Sequence, residues 1–93
     1  MAEFLVELYV ASEDSAAVES GAERARAAAE KLADEGEAIR YVRTIFVPED
    51  ETCFFLYEAG SADAVREVAL RAGLSSVRIT EALGARKEEE ACL

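Results

Sequence analysis

The residue types available to this chain limit its chemistry, because it contains no histidine. That absence excludes Ser-His-Asp and Cys-His triads, histidine general bases and histidine-rich metal sites. The two cysteines, Cys53 and Cys92, fit no zinc-binding spacing, and two thiols alone do not make a tetrahedral site. Acid–base chemistry must therefore come from carboxylates, tyrosines, lysines or a cysteine.

Five residues in extended, alternating stretches are candidates for binding a small ligand: Glu7, Tyr9, Tyr41, Arg43 and Tyr57. A carboxylate removed from water must be paired or neutralised, and either change shifts its pKa. Tyrosine hydroxyls are suitable hydrogen-bond donors in a ligand cleft. A dimer interface is the alternative interpretation, in which the Glu7–Arg43 pair fixes the register and the tyrosines are interface aromatics.

The charge balance points away from nucleic acid and membranes. The chain has 93 residues, with 10 Lys and Arg against 20 Asp and Glu, and a net charge of −10. Such a surface repels phosphate groups and favours cations or basic partners. No apolar run approaches the roughly 20 residues of a membrane span, and no basic region precedes the first apolar stretch. We therefore expect a cytoplasmic protein with reduced thiols, no nucleic-acid partner and no membrane partner.

Six elements are needed to position these residues. The apolar periodicity and the turn residues predict strands at 4–10, 39–47, 52–59 and 77–80, a helix capped by Ser12 and ending at Gly36, and a helix capped by Ser61 and ending at Gly73. The order β-α-β-β-α-β is typical of a ferredoxin-like α+β sandwich. Such a fold has a four-stranded antiparallel sheet, with strands one and three in the middle and two helices on one face. We expect one domain over residues 1–83, followed by an acidic tail at 84–93.

Alternation along the strands predicts which side chains face the helices and which do not. Phe4, Phe54 and Val42 represent the sets assigned to the helix side. The opposite side is predicted to carry Leu5, Glu7, Tyr9, Tyr41, Arg43, Ile45, Cys53, Phe55, Tyr57, Arg78 and Thr80. Monomers rarely leave so apolar a face in water. We therefore predict a homodimer packed through this face, whereas the segment 49–51 is expected to be a solvated hairpin tip.

The stretches 40–47, 57–59, 64–67 and 71–74 resemble a family of small bacterial proteins of unknown function whose named member binds nickel. The resemblance covers residues 3 to 82, and its most specific part runs from Tyr57 to Leu74. It implies a ferredoxin-like fold, a dimer and nickel as the metal. Many members carry Cys where this chain has Phe55 and His where it has Val68.

Those two departures remove the ligands that nickel prefers, which are nitrogen and sulfur donors. A remaining metal site must use carboxylates such as Glu7, Glu58 and Glu81, with Cys53 as an additional donor. We expect such a site to bind a divalent cation weakly and through oxygen.

Three functions follow from these features. The first is a dimeric module that binds a metal ion or small ligand without catalysis. The second is an enzyme of the dimeric α+β barrel kind, with Glu7 or a tyrosine as acid–base. The third is a purely structural or regulatory interaction module. A polar cavity between two sheets that contains Glu7 and two tyrosine hydroxyls would favour the enzyme.

Overall fold

The computed structural model describes residues 1–74 and 77–83. The elements are β1 (Ala2–Tyr9), α1 (Ser15–Asp34), β2 (Ile39–Val47), β3 (Thr52–Ala59), α2 (Ala62–Arg71) and β4 (Arg78–Ala82), with one 3-10 turn (Pro48–Asp50) between β2 and β3. The strands form one antiparallel sheet in the order β2-β3-β1-β4. The predicted fold is thus confirmed. The expected tail at 84–93 lies outside the described residues.

The helix ends are set by short polar residues and by glycine. Asp14, and not the predicted Ser12, caps α1, because its Oδ1 accepts a hydrogen bond from the Ala17 N–H at 3.1 Å. Ser61 caps α2 as predicted, with its Oγ accepting from the Ala64 N–H at 3.3 Å. Gly36 and Gly73 follow the two helices at φ 103° and 72°, a conformation that a glycine adopts without strain. Neither helix is long and apolar enough to cross a membrane.

The core lies between the helices and one side of the sheet. The buried positions of α1 are small, which lets the helix pack close to β3. At Gly21 a Cβ atom would lie only 3.2 Å from Cζ of Phe55. The fully buried side chains are largest on β3 and α2 and include Phe55, Tyr57, Val65 and Val68.

The face assignment predicted for β3 is wrong. Cys53, Phe55 and Tyr57 are buried beneath the helices, whereas Phe54 and Leu56 lie on the opposite side. The register explains the placement, because residues directly opposite in a sheet share a face: Val6 of β1 is opposite Phe55. A one-residue change of phase moves every side chain of a strand to the other face.

Tyr41 is also misplaced by the prediction, and a bulge in β2 is the reason. Tyr41 is opposite Tyr57, but Arg43 is opposite Leu56, so Val42 is an extra residue in the ladder. A bulge sets two residues of one strand against one of its partner and changes the phase of the alternation. Tyr41 is therefore on the helix side, whereas Arg43 lies on the other side as predicted.

The buried hydroxyl of Tyr57 gives a test of this corrected face assignment. It donates a hydrogen bond to the Ala25 carbonyl of α1 at 3.0 Å. We expect Tyr57→Phe to lower the free energy of unfolding by about 1 kcal/mol, the usual net contribution of one such bond. Urea unfolding followed by circular dichroism measures the change.

Tyr9→Phe is the matched control, because Tyr9 is 70% exposed. We expect its free energy of unfolding to equal that of the wild type. If the two substitutions destabilised the protein equally, the placement of Tyr57 under α1 would be wrong.

Candidate functional site

The side of the sheet that the helices leave uncovered is the candidate functional site, and we call it the open face. The register arranges it in rows across the strands: Val47–Thr52–Tyr9, Ile45–Phe54–Glu7–Arg78, Arg43–Leu56–Leu5–Thr80 and Arg40–Glu58–Glu3–Ala82. None of these side chains is buried within the chain. The two middle rows bring four apolar residues together, and charged residues surround them.

The apolar centre of the open face consists of Leu5, Ile45, Phe54 and Leu56. Ile45 is 39% exposed, and the other three are half-buried. Phe54 and Leu56 were predicted to face the helices and lie instead on the open face, because both sets of alternating residues in β3 are apolar. A usable signal was present: Thr52 and Glu58 at the two ends of the strand alternate in phase with Phe54 and Leu56, and polar residues mark the outer face.

The structure divides the five residues predicted to bind a ligand. Glu7 and Arg43 lie on the open face in adjacent rows, with β3 between their strands. Tyr9 is on the same face but at its end. Tyr41 and Tyr57 are on the helix side, where their rings meet edge to face with centroids 5.8 Å apart. The predicted convergence of three tyrosines on one face is therefore wrong.

The environment of Tyr57 makes it a structural residue. Burial, and then the neighbouring Tyr41, raise the pKa of the Tyr57 hydroxyl well above its ordinary value. Tyr41 in turn hydrogen-bonds through its hydroxyl to Thr44. A phenol that stays protonated and donates to a helix carbonyl cannot exchange protons with a ligand on the open face.

A hollow of about 200 Å³ lies at the end of the open face next to the β2–β3 turn. We call it the acidic hollow, since Glu7, Asp50 and Glu51 line it together with Tyr9 and Arg78. The charge of Glu51 is the main cause that raises the pKa of Tyr9. One oxygen of Glu51 also accepts a hydrogen bond from the Ser12 N–H at 2.9 Å.

Asp50 and Glu51 were expected to be a solvated hairpin tip, and their neighbourhood with Glu7 could not be read from local sequence. Pairing between β1 and β3 creates it: the Val10 N–H donates to the Glu51 carbonyl at 3.0 Å, which holds the turn against the end of β1. Glu51 itself adopts a left-handed conformation at φ 49°.

The three carboxylates predicted to bind a metal lie at separate places. Glu58 is four positions along the sheet from the Glu7 row, and it accepts a hydrogen bond from Arg40 Nε at 2.9 Å. Glu81 is opposite Phe4, so it belongs to the side of the sheet that carries the helices. Within residues 1–74 and 77–83, no three Cys, Asp or Glu side chains are grouped so that they could hold one metal ion.

The soft donors are equally absent from any accessible site in the described part of the chain. Cys53 is buried on the helix side, and burial raises the pKa of its thiol. Phe55 and Val68, the positions at which the family resemblance implies Cys and His, are both in the hydrophobic core. The donor set of one subunit therefore does not fit nickel, which prefers nitrogen and sulfur ligands.

Two further grooves lie on the helix side of the molecule. The larger, of about 610 Å³, runs between α1 and the edge strand β2 and includes Met1, Ala33 and Tyr41. The smaller, of about 360 Å³, lies between α2 and β4 beside Leu70 and Leu74. Tyr41 is the one predicted ligand-binding residue that borders either of them, so neither groove assembles the predicted site.

Comparisons with known proteins agree with the fold and give the family. No curated protein shows significant similarity to the chain. The crystal structure of SCO4226 from Streptomyces coelicolor A3(2) is similar to it, with a TM-score of 0.70 and 28% sequence identity, over 90% of this chain and 100% of that chain. The sequence profile described as "Nickel responsive protein SCO4226-like" matches residues 4–82. The chain therefore belongs to the SCO4226-like family of nickel responsive proteins.

Proposed function

We propose that the protein is a non-catalytic homodimer that buries its two open faces against each other and binds a small cationic ligand or metal ion there. The observation that carries the proposal is the apolar centre formed by Leu5, Ile45, Phe54 and Leu56. A contiguous apolar patch surrounded by polar residues is typical of an interaction surface. A second copy of the chain is the simplest partner, because a two-fold axis covers the same patch on both subunits.

The size of the open face supports this assembly. Strands about 4.8 Å apart that rise about 3.4 Å per residue give a face roughly 19 Å wide and, over the eight residues of β1 and β3, roughly 27 Å long, with β4 shorter at five residues. Side chains enlarge the area that such a face presents to a partner. Stable interfaces bury about 800 Å² on each partner, which is of the same order. One sheet on another would bury the apolar centre in a layer about 10 Å thick.

The placement of the tyrosines argues against the enzyme hypothesis. That hypothesis needs a pocket on the open face with Glu7 and two tyrosine hydroxyls, but Tyr57 is fully buried and Tyr41 faces the helices. Tyr9 alone remains, and the charge of Glu51 raises its pKa further from neutral pH. An acid–base group for catalysis at neutral pH needs a pKa near 7.

The net charge of −10 supports a cationic ligand and disfavours nucleic acid and anionic membranes as partners. We also propose that the protein is cytoplasmic. The family name supports nickel as one such cation. Because the donors of one subunit do not fit nickel, we propose that Glu7, Glu58 and Glu81 bind divalent cations weakly and as separate oxygen ligands. A second subunit on the open face could complete the sites of Glu7 and Glu58, whereas Glu81 lies on the helix side of the sheet.

A charge placed in the apolar centre tests the dimer. We expect Phe54→Asp to raise the dissociation constant of the dimer by about 100-fold or more, because a lost central contact and a buried unpaired carboxylate each cost about 2 kcal/mol or more. Sedimentation velocity over a range of protein concentrations measures the dissociation constant.

Leu70→Asp is the control for this substitution. Leu70 lies on α2, away from the open face, and is 74% exposed. We expect the dimer to survive it. A wild-type protein that stays monomeric at micromolar concentration would overturn the proposed function, and a dimer sensitive to Leu70→Asp alone would place the interface on the helices.

Nickel titration tests the nature of the metal ligands. We expect binding weaker than micromolar in the wild type, no change on Cys53→Ser, and loss of binding when Glu7, Glu58 and Glu81 are replaced together by alanine. The physical reason is that buried Cys53 has a raised pKa and stays protonated, whereas the carboxylates are accessible anions. Isothermal titration calorimetry measures all three proteins.

Replacement of Glu23, Glu30 and Asp63 by alanine is the matched control, since it removes the same number of carboxylates from the helices. Submicromolar affinity that disappears on Cys53→Ser would contradict the proposed oxygen ligands. An equal loss of affinity in both triple variants would show that nickel binding depends on the net charge and not on these three positions.

A further inference from the structure

The groove of about 360 Å³ between α2 and β4, which we call the α2–β4 groove, is an apolar surface that no element within residues 1–74 and 77–83 covers. The apolar residues of its described lining are Ala69, Leu70, Leu74, Val77 and Ile79. Leu70 is 74% exposed, and these neighbours make it part of a contiguous apolar surface. Arg66 is the charged residue of the described lining. A contiguous apolar surface beside a charged residue is typical of an interaction site.

The chain continues from the strand that borders this groove. β4 ends at Ala82, and the segment 84–93, which lies outside the described residues, follows Leu83 in the sequence. The family profile ends at residue 82, so the fold that the family shares does not require this segment. Because it follows β4 directly, the segment 84–93 is the part of the chain best placed in sequence to cover the groove.

The segment 84–93 is long enough to reach the groove. Ile79 comes four residues before Leu83, which corresponds to about 13 Å at the usual rise of about 3.3 Å per residue. The eight steps from Leu83 to residue 91 cover up to about 26 Å in an extended chain. Gly84 stands where the chain must reverse its direction, and glycine adopts the backbone conformations of tight turns without strain. The residues at 91–93 can therefore lie beside Ile79.

The sheet register shows how the groove runs relative to the end of β4. Ala59 at the end of β3 and Ala82 at the end of β4 lie at the same end of the sheet, opposite the first residues of β1. Because α2 follows β3 directly, it begins at this end and runs back towards the start of β4. Glu81 and Arg66 are therefore near the end from which the segment 84–93 starts, whereas Leu70 is further along the groove.

The order of residues in the segment 84–93 matches this course. After Gly84, a segment that turns back presents two basic residues at 86–87, three glutamates at 88–90 and then the apolar residues Ala, Cys and Leu at 91–93. The basic residues pass Glu81 and the glutamates pass Arg66, so that opposite charges meet. The apolar residues arrive last, at the part of the groove that Leu70 lines.

The larger groove beside β2 is a poorer match for the same segment. It borders the edge strand opposite to β4, which is three strand spacings or about 14 Å away across the sheet. Its described lining contains Glu30 and Glu37 as well as Arg26 and Arg40. The three glutamates at 88–90 would therefore meet as many negative as positive charges there.

We propose that the segment 84–93 turns back along β4 and places its apolar residues 91–93 in the α2–β4 groove, with the glutamates at 88–90 beside Arg66. Burial of apolar surface supplies most of the binding, and the charges set the direction of the segment. Arg66 already pairs with Asp63, but both side chains are exposed, and such a pair exchanges partners at little cost. The docked segment covers Leu70 and the free edge of β4, on which another chain would otherwise add a strand. The inference is independent of the homodimer, because the groove is on the helix side of the sheet.

Cys92 allows a direct test of the docked position by disulfide formation. In Leu70→Cys, we expect oxidised glutathione to join the new thiol to Cys92 about 10-fold faster or more than in Ala33→Cys, because docking raises the local concentration of one thiol at the other. Ala33 is exposed on α1 in the larger groove and is the matched control. Cys53 is buried and does not compete. Peptide mapping by mass spectrometry over a time course measures the rate.

A mixture of mass-labelled and unlabelled Leu70→Cys protein shows which chain supplies Cys92. We expect the disulfide to form within one chain. Disulfides between labelled and unlabelled chains would overturn docking within the chain and would show that the groove takes the segment of a second copy. Equal rates in Leu70→Cys and Ala33→Cys would overturn the docking altogether.

Trypsin gives a second measurement, because it cleaves after Arg86 and Lys87 in the segment. We expect Leu70→Asp to increase the rate of cleavage there by about 10-fold, since a carboxylate in the groove opposes both the apolar residues and the glutamates, and a released segment is cleaved faster. Ala33→Asp is the control and should leave the rate unchanged. Cleavage of Leu70→Asp at the wild-type rate would contradict the docking while the homodimer stood, whereas a monomeric wild type would overturn the homodimer alone.

Discussion

The phase of β3 is the constraint on which the rest of the molecule depends. The strand offers two apolar sets, and the set that contains Cys53, Phe55 and Tyr57 is the one that packs beneath the helices. Phe55 meets α1 at Gly21, where the absence of a side chain admits its ring, and Tyr57 hydrogen-bonds the helix backbone at Ala25. These contacts leave Phe54 and Leu56 to the open face, and through the register they fix which residues of β1 and β2 lie beside them.

The bulge at Val42 is the second feature that determines which residues form the candidate site. Because the bulge changes the phase of β2, the strand contributes Tyr41 to the core at one end and Arg43 and Ile45 to the open face at the other. In a regular strand, residues 41, 43 and 45 would all lie on one face, because side chains alternate. The open face therefore combines an apolar centre with a charged residue, Arg43, whose position on that face depends on the bulge at Val42.

Much of the fold could be predicted from the sequence because its signals are local. The bounds of β2 and β3 follow from Pro48 and Gly60 and match the structure, and Ser61 was identified as a cap. The cap of α1 was harder, since Ser12 and Asp14 are both good capping residues and only the geometry of the first turn selects Asp14. The faces of β1 followed from alternation, because only one of its sets is apolar throughout.

The candidate site was less predictable, because non-local pairing assembles it. Alternation placed Glu7 and Arg43 on one face, but it gave no reason to bring Asp50 and Glu51 next to Glu7. That neighbourhood depends on the antiparallel pairing of β1 with β3, which returns the hairpin end to the end of β1. The bulge has no signature in the sequence, so Tyr41 was assigned to the wrong side, and the two apolar sets of β3 could be told apart only by their polar ends.

The bulge also affects the outer edge of the sheet. β2 is an edge strand of nine residues, and a long, regular edge is a template on which another chain can add a strand. The extra residue at Val42 breaks the spacing of the free N–H and C=O groups along that edge and increases its local twist. The same irregularity that turns Arg43 outward thus disfavours open-ended, edge-to-edge association, which is compatible with the closed pair that we propose for the open face.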